Sequence, residues 1–150
     1  MYFRVMKINE INFFFEQVEP NLNKDFWEEF RRRFHSLSFV KPQQAFETLA
    51  YFHFVESLFN EWIAKIELER LKATEYKDIL RGKILEGYSK TEKDNVDARN
   101  ALVYKNEQFL EAKDAEDKLV TFLNFLKSHL RTIFSACATL RGEKRNVFPE

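Results

Sequence analysis

Residues 112–142, AKDAEDKLVTFLNFLKSHLRTIFSACATLRG, decide how the chain folds. Ala112, Ala115, Leu119, Phe122, Leu126, Leu130, Ile133, Cys137 and Leu140 recur at steps of three and four residues. Between Phe122 and Leu130 two four-residue steps follow one another, which resembles a stutter. Positions three and four apart share one face of a helix, so the spacing predicts a long helix with a single apolar stripe. Gly142 is expected to stop it, with Arg141, Lys144 and Arg145 placing positive charge at the negative end of the helix dipole.

Working back toward the N-terminus, the chain reads as helical from about residue 92, with an interruption at Tyr104 to Asn106 where Asn106 recaps it. Ser89 with Glu92, or Thr91 with Asp94, offers a capping-box-like start. Before that, RGKILEGYSK at 81–90 carries two glycines and predicts a connection. Pro42 is placed as a first helical residue tolerates it. Ala45, Leu49, Phe52, Phe59, Ile63, Ile66, Ala73 and Leu80 then predict one helix over about 42–81, roughly 60 Å long at 1.5 Å per residue. Asn23 is the expected N-cap of a shorter helix ending near Ser36, with Phe26, Trp27, Phe30 and Phe34 on one side and Arg31, Arg32 and Arg33 around the other. For residues 1–19 two readings stay open, a short strand alternating at Tyr2, Arg4 and Met6 or an amphipathic helix over Ile8 to Val18, of which the helix is preferred.

The expected fold is all-α: a long antiparallel helical hairpin over 42–145, an aromatic-rich N-terminal segment over 1–41 forming a short helical subdomain, and a tail at 146–150. Composition agrees. Three Gly and three Pro in 150 residues leave too few turn formers for a many-stranded sandwich or barrel. Twenty-four Lys and Arg balance twenty-four Asp and Glu, so attraction to a polyanion has to come from a local patch. No apolar run is long enough to span a membrane, and Glu10 and Glu16 flank the Phe run of MYFRVMKINEINFFFEQ, which does not read as a signal peptide. Cys137 is the lone cysteine, which excludes an intramolecular disulfide and fits a reducing compartment, the cytoplasm. Seventeen Phe imply apolar faces larger than one short chain covers alone, and hence a homo-oligomer. Phe46, Phe52, Phe54, Phe59 and Trp62 occupy more than one side of their helix and imply contacts in two directions.

No catalytic signature is present. The chain lacks a phosphate-binding glycine loop, a nucleophile elbow and an HExxH motif. His35, His53 and His129 are scattered, no Glu-x-x-His motif occurs, and Cys137 sits on the apolar stripe as a small core residue. The expectation is therefore a non-enzyme without metal or cofactor. Charge is more informative. Lys65, Arg70, Lys72, Lys77, Arg81 and Lys83 interleave with Glu67, Glu69, Glu75 and Asp78, the ordinary pattern of a solvated face, though such a face can also grip phosphates. Arg31, Arg32 and Arg33, beside Trp27 and Phe34, combine a phosphate grip with stacking partners for bases.

The region from about Phe54 to Arg145 resembles the phage recombination mediators of the UvsY type. The resemblance lies in a charged helix ending LFNEWIAKIELERLKATEYKDILRGK, a glycine-containing connection, a KTEK start, and a helix ending SHLRTIFSACATLRGE. It implies a non-enzymatic oligomer in a bacterial host's cytoplasm that binds single-stranded DNA. Its other partners would be a RecA-like recombinase and the single-stranded-DNA-binding protein, which the recombinase replaces on the strand. Carried over by position, Lys72, Lys77, Arg81 and Lys83 would hold the strand, while Leu119, Phe122, Leu126, Leu130, Ile133 and Leu140 would pack between subunits. The alternative, from zero net charge and excess aromatic surface, is a phage-encoded interaction module, an inhibitor or assembly adaptor, with no nucleic-acid role.

Overall fold

The computed structural model describes residues 5–18, 23–86 and 96–147. Among these residues every regular element is helical and there is no strand. The order is α1 (Ile8–Val18), α2 (Lys24–His35), α3 (Ala45–Glu86), α4 (Val96–Tyr104) and α5 (Glu107–Val147). Short 3-10 turns at Leu37–Phe39 and Pro42–Gln44 join α2 to α3. No helix among the described residues is long and apolar enough to cross a membrane.

Local chemistry accounts for most boundaries. At the start of α1 the Lys7 amide donates to Glu10 Oε2 at 3.2 Å, half of a reciprocal capping arrangement, so the helical reading of this segment holds from Ile8. Asn23 takes the position before α2, but its side chain makes no cap hydrogen bond. The end of α2 falls as expected, with the Ser36 amide donating to the Arg32 carbonyl at 3.2 Å. Pro42 opens a 3-10 turn and the α-helix begins three residues later, at Ala45. Asn106 recaps the chain after α4, its Oδ1 accepting from the Phe109 amide at 3.0 Å.

Two glycines do not act as expected. Gly82 lies inside α3, which continues to Glu86, and Gly142 lies inside α5, which continues to Val147. A glycine costs only about 1 kcal/mol in a helix interior, less than the packing of the turns beside it supplies. The breaks expected at Pro20 and Gly87, the caps at Ser89 and Thr91, and residues 1–4 lie outside the described residues, as do the side chains of Lys144 and Arg145.

The long helices share one pattern of burial. Ala45, Phe52, Phe59, Ile66, Ala73 and Leu80 fall seven residues apart on α3, and all are buried. Ala112, Leu119, Leu126, Ile133 and Leu140 repeat that interval on α5 and are equally buried. A strict seven-residue repeat keeps an apolar seam on one face of a slightly under-wound helix.

The chain forms two compact units, one taking in Met1–Phe13 and Ile66–Phe122, the other Phe14–Lys65 and Leu123–Glu150. In the first unit Ile11, Ile66, Leu80, Val103, Phe109, Leu119 and Phe122 are buried, and Lys77 Nζ meets Glu116 Oε1 at 3.0 Å. The second is built around Trp27. Its ring lies 5.6 Å from Phe30, 6.1 Å from both Phe59 and Phe125, and 4.7 Å from His129 between centroids. Burial of a side chain such as Phe52 or Phe59 contributes about 1.5–3 kcal/mol, so this cluster is a substantial source of cohesion in its unit. Within the second unit Phe59 touches His129 and Glu56 touches Cys137, so α3 and α5 run in opposite directions there.

One chain already covers the seam of α5. Leu119, Leu126, Ile133 and Leu140 have no exposed surface and Phe122 has 1 %, while Leu130 is partly exposed. Five of the six side chains expected at a subunit interface are thus buried within a single copy. Periodicity reveals that a face is buried but not whose atoms bury it.

Candidate functional site

Seven basic residues were expected to hold a nucleic-acid strand, and the structure gives most of them carboxylate or amide partners. Lys72 Nζ lies 3.1 Å from Glu69 Oε1, Lys77 pairs with Glu116, and Arg81 donates to Asn100 Oδ1 at 3.3 Å. Lys83 is exposed. Lys72 and Lys83 project from one side of α3 and Lys77 and Arg81 from another, at least about 120° round at 3.6 residues per turn. The four do not form one patch.

Arg31, Arg32 and Arg33 occupy the last turns of α2, where the helix dipole favours cations. Arg32 grips Glu29 with two hydrogen bonds, Nε to Oε2 at 2.9 Å and Nη2 to Oε1 at 2.7 Å, and Arg33 Nε reaches the same Oε1 at 2.6 Å. These bonds, Arg32's first and then Arg33's, hold the Glu29 carboxyl down at about 2. Arg33 also lies over the Tyr51 ring, 4.5 Å from its centroid. Arg31 is exposed and donates from Nε to the Trp27 carbonyl at 3.3 Å. Arg32 and Arg33, with Ser36, Gln44, Glu47 and Thr48, line a shallow depression of about 200 Å³. Of the two rings named as stacking partners, Trp27 is 2 % exposed and belongs to the core, while Phe34 is partly exposed.

Apolar side chains also stand outside the core. Phe39 is 83 % exposed, Phe54 65 % and Phe46 40 %. Phe46, Ala50 and Phe54 are exposed at four-residue intervals on α3, which makes them a ridge along one side of that helix. Phe52 and Phe59 face inward while Phe46 and Phe54 are exposed, so the rings do occupy more than one side of the helix.

One grouping escaped the sequence. His53, Glu56 and Cys137 place a ligand atom each within 4.8 Å of one another, the one such set of three among the described residues. His53 and Glu56 are a turn apart on α3, but Cys137 comes from α5, 81 positions beyond Glu56, and no motif spans that separation. The Glu-x-x-His motif also runs in the opposite order to His53-x-x-Glu56. Among comparisons with known proteins, no family model, curated protein or solved structure matches the chain.

Proposed function

We propose that the protein is a non-enzymatic binding module for a protein partner. The exposed ridge of Phe46, Ala50 and Phe54 on α3 carries this reading. Such a ridge is complementary to a partner's apolar groove, and each Å² so removed from water contributes roughly 25 cal/mol. The basic residues support a field-driven role less well, since Glu29, Glu69 and Glu116 neutralise much of their charge within the chain. The test is capture from a nuclease-treated bacterial lysate on immobilised protein, alongside Phe54→Asp. A stoichiometric protein partner that survives digestion and is lost with Phe54→Asp is expected; no retained protein, or equal retention by the variant, overturns the reading.

A second reading is the single-stranded-DNA-binding recombination mediator, with a RecA-like recombinase and the single-stranded-DNA-binding protein as partners. It is favoured by exposed Arg31 and by the depression that Arg32 and Arg33 line. Self-association in this reading uses surfaces other than the sheltered seam of α5. Fluorescence anisotropy with a labelled oligonucleotide at about 50 mM salt tests it, with salt-sensitive binding weakened by Arg31→Glu as the expected result. Absence of binding at that salt concentration sinks it.

A further inference from the structure

We propose that His53, Glu56 and Cys137 form a binding site for a single thiophilic divalent cation, zinc in the first place, that clasps α3 to α5. His53 Nδ1 lies 3.4 Å from Glu56 Oε2, and Cys137 Sγ lies 4.0 Å from the same oxygen. Tetrahedral zinc with bonds of about 2.0 Å to nitrogen or oxygen and about 2.3 Å to sulfur sets neighbouring ligand atoms roughly 3.3–3.6 Å apart. The nitrogen and oxygen already stand at that separation, and the sulfur, 4.0 Å from the oxygen and within 4.8 Å of the nitrogen, has to move inward to close the set. An ordinary χ adjustment covers it.

The burial gradient suits an ion entering from solvent. Cys137 is 1 % exposed and forms the floor, the Glu56 side chain is 22 % exposed, and the His53 side chain, at 44 %, stands at the rim. All three residues belong to the same compact unit. Their donor set selects the metal: a thiolate and an imidazole favour zinc and its transition-metal neighbours over magnesium or calcium, which need oxygen ligands.

Charge closes as well. On binding, the cation displaces the thiol proton to solvent and a sulfur–metal bond forms. The two positive charges of the ion are then balanced by one thiolate and one carboxylate, and the imidazole is neutral. Three protein ligands leave a fourth position for water on the His53 side.

Titration of the intact protein with cobalt(II) tests the site, since thiolate ligation gives a sulfur-to-cobalt charge-transfer band in the near ultraviolet. The expected result is a band saturating at one cobalt per chain and bleached by zinc. His53→Ala, at an exposed position that leaves the core intact, is expected to weaken binding about tenfold or more, and Cys137→Ser to abolish the band. Zinc, but not magnesium, raises the thermal midpoint of the wild type, and the rise is lost in His53→Ala. No band at millimolar cobalt, or a band with unchanged midpoint in His53→Ala, overturns the proposal, and that second variant decides the matter even where Cys137→Ser fails to fold.

Discussion

Lys77 on α3 and Glu116 on α5 meet at 3.0 Å with only 22 % and 15 % of their side chains exposed, and the second oxygen of Glu116 is buried without a hydrogen-bond partner. Such a carboxylate depends on its one cation. A partly buried pair gains little over an apolar pair of equal volume, yet removal of one member leaves the other's charge stranded. Lys77→Met is therefore expected to lower unfolding free energy by about 1–3 kcal/mol in urea titration, with Lys77→Met/Glu116→Leu recovering most of it. A single variant as stable as the wild type shows that water, not Lys77, satisfies Glu116. The pair also makes Lys77 a structural cation and a poor reporter of strand binding.

Gly82 and Gly142 are helical, neither has a positive φ, and a Cβ at either meets nothing within 4 Å. Alanine at each position narrows the unfolded ensemble without a steric cost in the fold. Gly82→Ala and Gly142→Ala are each expected to add about 0.5–1 kcal/mol, additively, in chemical denaturation. Destabilisation at either position means that the helix breaks there after all.

The behaviour of these glycines shows how far the sequence is legible. Apolar spacing locates α3 and α5, and Asn106 marks the break between α4 and α5, because each is decided by neighbours within a turn or two. Glycine is a local signal too, but a small one, and forty-residue helices outweigh it. What stays hidden is whatever depends on distant chain. The basic residues are countable, whereas the pairing of Lys77 with a carboxylate 39 positions away is not, nor is the convergence of His53 and Glu56 on Cys137. Arg31 to Arg33 look like a cationic patch until Glu29, inside the same helix, accepts from two of them.

That acceptance gives a pH signature. Ionised Glu29 is favoured in the fold, so its contribution is fully present above its ordinary value of 4.5 and is lost as pH falls from there through about 2. In Glu29→Gln the component is absent at every pH. The difference in urea midpoint between wild type and variant is thus expected to be largest near neutrality and to shrink between pH 4.5 and pH 2. A difference that stays constant across that window shows that the Arg32 and Arg33 contacts do not stabilise the fold.

Leu126 is the position at which to test whose atoms cover the seam of α5. It has no exposed surface, and the side chain of its neighbour Phe125 lies against Phe15, Trp27 and His129 of the same unit. Leu126→Ala removes three carbons from a fully buried site, so about 2–5 kcal/mol is expected to be lost. Packing within one chain makes that loss, and the unfolding midpoint itself, independent of protein concentration. Packing between chains makes the midpoint climb with concentration, because association then stabilises the folded state by mass action. Denaturation repeated over a hundredfold range of protein concentration separates the two, and a rising wild-type midpoint that flattens in Leu126→Ala assigns the seam to a subunit interface.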